Sequence, residues 1–175
     1  MYSSLTNTYF FTVTINKWQQ LLSSDERKQI ILNSFKFMCE ENRIKLYAFV
    51  VMPNHIHLVL TIEENETKES IQRNFLKFTA QFLIKHLIHE NLQVELNKYR
   101  SLSKDRIYNI WKRRPKWIQI DNINILEQKI DYVHHNPLQK NWQLVSAPEL
   151  YEWSSASYYI CEDKRFSFLT DYRDI

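Results

Sequence analysis

The chain has 175 residues, 44% of them hydrophobic, which is enough for one domain with a substantial core. It contains no glycine, which excludes a P-loop or a GxGxxG dinucleotide turn, because both need glycine where the backbone approaches phosphate. The formal net charge of +3 makes the chain mildly basic. The sequence contains no run of about 18 apolar residues, so no membrane-spanning helix is predicted. Cys39 and Cys161 form no CxxC pair, so neither a disulfide framework nor a zinc knuckle is indicated. We therefore expect a cytoplasmic protein that uses no nucleotide cofactor, with residues 1–175 in a single domain.

The first predicted elements are a strand and a helix. Residues 9–15 alternate between apolar or aromatic and more polar side chains, which indicates a strand with one buried face. Residues 23–26 offer a capping box, and Ile31, Phe35 and Met38 follow at helical spacing. This pattern predicts a helix that continues to about residue 41.

Residues 46–62 contain the most informative pattern in the first half of the chain. Apolar, β-branched and aromatic residues lie on both sides of a Pro-Asn turn signal at residues 53–54, which predicts two strands. Because side chains alternate along a strand, His55 and His57 share one face. Two imidazoles so placed could grip one metal ion, although such a pair is also common as two half-exposed polar residues. The opposite, apolar face carries Ile56, Leu58, Leu60 and Ile62.

Residues 68–89 predict a long helix that completes a recognisable order of elements. The basic residues Arg73, Lys77 and Lys85 lie on one side of it and are interpreted as a solvated surface. The order strand, helix, strand, strand, helix indicates an α+β fold of the ferredoxin-like, split βαβ type. We expect an antiparallel sheet with helices on one face and the histidines, as the active site, on the other, open face. The predicted core stripe of the long helix is Ile71, Phe75, Phe78 and Phe82.

A basic region near residues 98–117 is predicted as a loop followed by an edge strand. Residues 90–106 are polar and indicate weak structure, whereas residues 107–120 contain aromatic side chains and a proline. Cations interleaved with tryptophans can bind phosphates and stack bases of single-stranded nucleic acid. An equal alternative to nucleic-acid binding is that this segment is an edge strand whose charges prevent aggregation. The candidate nucleic-acid-binding residues are Trp111, Lys112, Arg113, Arg114, Lys116 and Trp117.

A last informative helix is predicted from residue 124 to about residue 135. Tyr132 lies off its apolar stripe, on one line with Asn136, although a tyrosine so placed is usually an ordinary surface residue. Pro137 disfavours helical backbone at Asn136, so the helix is expected to end there. The apolar stripe consists of Leu126, Ile130 and Val133.

Three ordered motifs carry a resemblance to a known family. The motifs are Met52-Pro53-Asn54-His55-Ile56-His57, then Tyr132-Val133-His134-His135-Asn136-Pro137, then Trp153-Ser154-Ser155. In this combination the chain resembles the single-tyrosine HUH transposases, and most of all the REP-associated tyrosine transposases, over roughly residues 9–158. It departs from the family at residues 138–142, where members commonly carry a glycine-containing stretch of small residues.

The resemblance implies a metal-dependent single-stranded DNA endonuclease and strand-transferase that acts on hairpin or palindromic DNA. Tyr132 would be the nucleophile, forming a 5′-phosphotyrosine, and His55, His57 and Asn136 would hold a divalent metal, Mg or Mn. With a DNA substrate implied, Lys112, Arg113, Arg114 and Lys116 become the leading phosphate contacts, with Trp111 or Trp117 available to stack a base. His134 or His135 could replace the Asn136 amide as the third ligand. The alternative interpretation of these two histidines is that they cap the C-terminus of the helix.

Two other functions remain open beside a transposase. A non-catalytic nucleic-acid-binding protein of the same fold would bind DNA without cutting it. A metal-dependent hydrolase would cut DNA with water and leave no covalent adduct. A monomer is favoured over a homodimer, because a C-terminal extension from about residue 138 follows the tyrosine. Residues 151–155 are expected to anchor this extension by burying their aromatic side chains.

Overall fold

The computed structural model describes residues 5–175, in which four strands form one antiparallel sheet. The strands are β1 (Thr8–Thr14), β2 (Ile44–Val51), β3 (His55–Ile62) and β4 (Lys116–Gln119). The α-helices are α1 (Asp25–Glu40), α2 (Lys68–His89), α3 (Gln93–Asn97), α4 (Ile123–His135) and α5 (Ala156–Ile160). The strand order is β2-β3-β1-β4, which confirms the predicted ferredoxin-like α+β fold. None of these helices is both long and apolar enough to cross a membrane.

One face of the sheet packs against α1 and α2. The side chain of Ser24 caps α1 by accepting a hydrogen bond from the Arg27 amide, at the place where the sequence predicts a helix start. Phe35 of α1 stacks on Phe75 of α2, with ring centroids 5.7 Å apart. The predicted apolar face of β3 is confirmed, because this core includes Ile56, Leu58, Leu60 and Ile62.

The predicted core stripe of α2 is wrong at two of its four positions. Phe78 and Phe82 are 47% and 53% exposed. The buried line instead continues in steps of four residues, along a row that is inclined to the helix axis. The predicted stripe runs parallel to the axis, so its first two residues are buried and its last two, Phe78 and Phe82, are exposed. The buried residues of α2 are Ile71, Phe75, Thr79, Leu83 and Leu87.

The opposite face of the sheet, which carries the histidines, is partly covered by α4. The placement of α1 and α2 away from the histidines is as predicted. The expectation that the histidine face is otherwise open is wrong, because the apolar stripe of α4 needs burial and finds it against β2 and β3. This second apolar cluster includes Leu126, Ile130 and Val133 of α4 with Tyr47, Val50 and Val59 of the sheet.

Residues 90–106 are not a loosely attached loop, as the sequence suggested, but contain α3 and part of the core. Leu96 and Tyr99 are at most 1% exposed. Glu95 forms a two-pronged ion pair with Arg27 of α1, with nitrogen to oxygen distances of 2.7 and 3.0 Å. The segment is polar in composition because a short helix on the surface buries only a narrow face.

The C-terminal part of the chain covers the outer edge of β2. The Ser155 amide donates to the Phe49 carbonyl at 3.0 Å, and the Thr170 amide donates to the Leu46 carbonyl at 2.9 Å. The hydroxyl of the buried Tyr151 donates to a backbone carbonyl of β2 at 2.9 Å. The predicted anchoring of this segment by its aromatic side chains is therefore confirmed.

Candidate active site

The two histidines of β3 lie side by side on the face that α4 partly covers. His55 is paired across the sheet with Thr14, and His57 with Thr12. The imidazole centroids are 4.7 Å apart, and the rings meet at 71°. Both side chains are buried, at 9% and 5% exposure. The two-residue period of the strand thus puts both imidazoles at one place, largely shielded from water.

The ring of His57 is held by two residues of β1. Its Nδ1 lies 2.8 Å from Oγ1 of Thr12, and Phe10 stacks on the imidazole with centroids 5.2 Å apart. Burial lowers the pKa of His57 to about 3, with smaller contributions from His55 and Lys129. The ring is therefore neutral near pH 7. When Nδ1 donates to Thr12, Nε2 presents a lone pair to the site.

His55 has an amide oxygen at each ring nitrogen. Its Nδ1 lies 2.7 Å from Oδ1 of Asn54, and its Nε2 lies 3.1 Å from Oδ1 of Asn136. Burial lowers the pKa of His55, and the contact with Asn136 opposes that shift. A neutral imidazole carries one N–H, so when Nδ1 donates to Asn54, Nε2 and the Asn136 oxygen face each other as acceptors. Each of these two atoms has a lone pair directed at the other. A shared proton or a divalent cation between them would satisfy both.

The end of α4 brings an amide and a phenol to these histidines. The helix ends at His135, near the predicted position, although Asn136 keeps helical φ and ψ of −56° and −42°. Asn136 is 1% exposed, whereas Tyr132, one turn earlier, is 42% exposed. The ring centroid of Tyr132 lies 5.3 Å from that of His57 and 5.8 Å from that of Phe10. The i, i+4 spacing therefore places both side chains beside the imidazoles.

The two histidines between the tyrosine and the asparagine have other partners. Nε2 of His134 lies 2.9 Å from Oγ of Ser155, and burial lowers the pKa of His134 to about 4. His135 is exposed, and its Nδ1 lies 2.9 Å from the Asp131 carbonyl oxygen. Residues 5–175 contain no group of three His, Cys, Asp or Glu side chains that could hold a metal, so the candidate ligand set depends on the Asn136 amide.

Lys129 is a member of this site that the sequence reasoning missed. Its Nζ lies 5.2 Å from the centroid of the Phe10 ring, which itself touches His57 and Tyr132. The signal was present in the sequence, since Lys129 precedes Tyr132 by three residues and therefore lies one turn away along the same helix. The site thus combines two neutral imidazoles, an amide oxygen, a phenol and an ammonium group.

Comparison with known proteins identifies the family. A family model described as "Transposase IS200 like" matches residues 4–136, which is most of the chain and includes both the histidine pair and the tyrosine. The chain belongs to this transposase family. The resemblance to the single-tyrosine HUH transposases is thereby confirmed, as is the predicted enzyme class.

Relatives of this transposase carry a more specific name. A REP-associated tyrosine transposase of Escherichia coli K12 is 25% identical over 138 residues, which cover 77% of this chain and 68% of that protein. A Haemophilus influenzae protein named for the same group is 28% identical over 136 residues, covering 77% and 72%. A solved structure of a REP-associated tyrosine transposase bound to a REP hairpin has a TM-score of 0.64 and 23% identity, covering 92% of this chain and 82% of that one. That structure supports the fold.

The tryptophans of the basic region are not both available for stacking in this transposase. Trp111 is 5% exposed, and its Nε1 donates to Oγ1 of Thr79. Its predicted role as a base-stacking residue is therefore wrong, because the ring fills the core beneath α2. Trp117 is half-buried, with its ring 4.3 Å from that of Phe11 and its Nε1 bonded to Gln72. Trp111 and Trp117 therefore contribute mainly to packing of the protein's own core.

The cations of the same region remain accessible. Lys112, Arg113, Arg114 and Lys116 are all exposed. Lys116 begins β4 and is paired with Thr12, which is paired in turn with His57. The side chains of one such row share a face of the sheet. Lys116 therefore stands on the histidine face, two strands from the candidate metal ligands.

Proposed function

We propose that this transposase cuts and rejoins single-stranded DNA beside a hairpin, with Tyr132 as nucleophile and a divalent metal on His55, His57 and Asn136. One observation carries the proposal. Nε2 of His55 and Oδ1 of Asn136 approach to 3.1 Å while the Tyr132 ring packs 5.3 Å from His57. Distant parts of the sequence thus supply a nucleophile and a metal-ligand set to one point.

The proposed reaction exchanges one phosphodiester for another. The hydroxyl oxygen of Tyr132 bonds to the scissile phosphorus and loses its proton, while the bond from phosphorus to the 3′ oxygen breaks and that oxygen gains a proton. The products are a 5′-phosphotyrosine and a free 3′-OH. Attack of a 3′-OH on the phosphotyrosine reverses the step and joins strands, so no nucleotide cofactor is consumed.

The residues present fit a divalent metal. A mixed set of imidazole nitrogens and one amide oxygen with open coordination positions can accept Mn or Mg, the ions proposed here. A metal held by His55, His57 and Asn136 would supply Lewis-acid polarisation of the scissile phosphate and would stabilise the leaving oxygen. Thr12 and Asn54 bond the Nδ1 atoms of His57 and His55, which fixes both rings with Nε2 directed into the site. The chain's own role is therefore to hold the ligands neutral and aligned.

Lys129 supplies a positive charge next to the nucleophile. Its Nζ sits over Phe10, and the same ring packs edge-on against Tyr132 at 5.8 Å. Charge that develops on the phenol oxygen and on the phosphate during transfer is stabilised by a fixed cation nearby. Lys129 is proposed to act on the transition state in this way, with the Phe10 ring holding its ammonium group in place.

The proposed DNA partner follows from the relatives together with the exposed cations. The relatives are named as REP-associated, and the solved structure holds a REP hairpin. We extend hairpin DNA with a single-stranded flank to this chain. Lys116 and the exposed cations from residue 112 to 114 are the proposed phosphate contacts, and phosphate contacts position DNA without reading its sequence.

The test is a denaturing gel that resolves protein-linked DNA. The substrate is a hairpin with a single-stranded flank from the DNA that borders the gene, labelled at its 3′ end, with Mn. We expect a labelled band at the mass of protein plus DNA for the wild type, because a 5′-phosphotyrosine retains the 3′ side of the cut. Tyr132→Phe should abolish the band. Tyr172→Phe, which removes the hydroxyl of another partly exposed tyrosine, should retain it.

The other outcomes refute the proposal in different ways. Cleavage without a linked band that persists in Tyr132→Phe would indicate a hydrolase that uses water. Retarded but uncut DNA with both proteins would indicate a binding protein without this chemistry. A linked band that survives in Tyr132→Phe would assign the nucleophile to another residue.

A further inference from the structure

One tryptophan is exposed beside the candidate active site. The chain has five tryptophans. Trp18 is 58% exposed, whereas the other four are buried or half-buried. It ends a short turn, Asn16–Trp18, that follows shortly after β1. Trp18 is therefore an indole that a ligand can reach, unlike the two tryptophans of the basic region.

The backbone of this turn is held in an unfavourable conformation. Lys17 and Trp18 are both left-handed, with φ of 54° and 58°. Two consecutive residues of this kind are costly when neither is glycine, and such geometry clusters at functional sites. The Trp18 amide donates to the Ile15 carbonyl at 3.0 Å, which helps to fix the turn. The fold thus keeps a large apolar side chain in water at a defined position.

Asn54 connects this turn to a candidate metal ligand. Its Nδ2 donates to the Trp18 carbonyl at 3.3 Å, and its Oδ1 lies 2.7 Å from Nδ1 of His55. Asn54 is 8% exposed, so both contacts are shielded from water. The position of Trp18 is thereby tied to that of the His55 imidazole.

A cation lies over the exposed ring. Nζ of Lys112 is 5.1 Å from the centroid of the Trp18 ring, and the Lys112 amide donates to the Thr14 carbonyl at 2.8 Å. Within residues 5–175, Lys112 forms no ion pair. Proteins that hold single strands combine rings on which bases stack with cations that contact phosphates. Trp18 and Lys112 provide this combination at the end of β1.

The order of the side chains along the site gives the direction of the strand. Tyr132 packs against His57, whereas Trp18 is tied through Asn54 to His55, so the imidazole pair separates the nucleophile from the tryptophan. In phosphoryl transfer the attacking and leaving oxygens are roughly in line. A phosphate held at the imidazoles and attacked by Tyr132 therefore directs its leaving 3′ oxygen towards the end of the site that carries Trp18. The strand that ends in this oxygen is the one on the 5′ side of the cut.

We propose that Trp18 stacks a base of the single strand on the 5′ side of the cut, while Lys112 contacts a neighbouring phosphate. This proposal rests on the proposed function, which supplies the single strand and the nucleophile. Trp18 binds substrate and takes no part in breaking the bond. Its role is to retain the cleaved strand, whose free 3′-OH must attack the phosphotyrosine when the strands are rejoined.

The experiment measures DNA binding by fluorescence anisotropy with proteins that carry Tyr132→Phe, so that nothing is cut. The probes are the hairpin with its single-stranded flank and a series in which one nucleotide of the flank is abasic. Trp18→Ala and Trp18→Phe are compared with the protein that retains Trp18. The matched control is Phe82→Ala. Phe82 is 53% exposed and has Nζ of Lys85 at 5.6 Å from its ring centroid, but it lies on α2, away from the histidine face.

The expected result is a coupling between the ring and one base. Trp18→Ala should weaken binding of the intact probe by about five- to 150-fold, the range for loss of one base stack. Trp18→Phe should retain most of the affinity, because any aromatic ring can stack. Removal of one particular base should weaken binding by a similar factor when Trp18 is present and change little in Trp18→Ala. Phe82→Ala should bind every probe as well as the protein that retains Trp18.

Four results would overturn the proposal. Trp18→Ala could bind the intact probe within twofold of the protein that retains Trp18, or Trp18→Phe could lose as much affinity as the alanine variant. The loss in Trp18→Ala could be the same for every abasic probe, which would mean that the ring supports the fold and contacts no base. The coupled base could lie on the 3′ side of the cut mapped with wild-type protein, which would exclude the strand that leaves.

The binding test is independent of the adduct gel. Because proteins with Tyr132→Phe cut nothing, coupling between Trp18 and a base is measured without the proposed chemistry. Coupling without any adduct in the wild type would refute the nucleophile and retain the base contact. An adduct without coupling would do the opposite.

Discussion

Replacement of Lys129 by methionine removes one positive charge beside Tyr132 and retains an unbranched chain over the Phe10 ring. Lys129 is half-buried, and its Nζ lies 5.2 Å from the centroid of the Phe10 ring that packs against Tyr132. We take about 8 Å as the separation between this charge and the transferring phosphate. At an effective dielectric constant of about 20 to 40, a unit charge at that distance contributes about 1 to 2 kcal/mol. Loss of this contribution in the transition state should slow adduct formation by about five- to thirtyfold.

The assay is single-turnover formation of the tyrosyl-DNA adduct at saturating hairpin DNA with Mn. Lys129→Met should show the slower rate, and Lys129→Arg should restore most of it, because the charge is returned. DNA affinity should change little, since at most one phosphate contact is lost. Lys85→Met, a substitution on the exposed surface of α2, serves as the control. A Lys129→Met rate within twofold of the wild type, or no recovery with arginine, would show that this charge does not act on the reaction.

Three further predictions concern the metal ligands, the core and the response to pH. Asn136→Ala should weaken Mn binding by about tenfold or more in isothermal titration calorimetry, because an oxygen ligand is lost. His135→Ala should bind Mn like the wild type. The reverse pattern would identify His135 as the ligand. Ser155→Ala should lower the free energy of unfolding in urea by about 2 kcal/mol, because His134 and a backbone amide of β2 lose a buried partner; a loss below about 0.5 kcal/mol would contradict this. Burial raises the pKa of Tyr99 to about 12, above its unfolded value near 10, so the folded state keeps a proton that the unfolded chain releases. Its contribution to stability is therefore complete below about pH 10 and lost as the pH rises towards 12, and Tyr99→Phe should reduce the alkaline loss by roughly 1 kcal/mol near pH 11; equal losses in both proteins would refute the assignment.

Elements with a regular period could be predicted from the sequence. The faces of β3 follow from its two-residue alternation, and the buried stripe of α4 from its helical spacing, because both patterns are local. The approach of Asn136 to His55 could not be derived in this way, since 81 residues separate them and the contact depends on how α4 crosses the sheet. The family resemblance supplied that pairing. The true core stripe of α2 was missed because several apolar rows were available on it and only packing selects among them.

The positions with left-handed backbone could not be predicted either, because the chain has no glycine, the residue that usually indicates this conformation. Asn7 and Asn42 adopt positive φ, as asparagine commonly does. Arg114 and Gln143 do so as well, with φ of 64° and 45°, and neither residue type announces this conformation. Gln143 directly follows residues 138–142, where family members commonly carry glycine. Left-handed backbone therefore occurs next to that stretch at a residue other than glycine, at a cost of about 1 kcal/mol.

Coverage of β2 by the C-terminal segment determines how the sheet can meet another molecule. A free strand edge accepts a strand from a neighbouring chain, but amides and carbonyls along β2 are already bonded to residues 153–155 and 170. The other edge is β4, which is only four residues long and begins with a lysine, and both features oppose strand addition. Removal of the chain from residue 151 onwards should therefore convert a protected sheet into one that adds strands and aggregates.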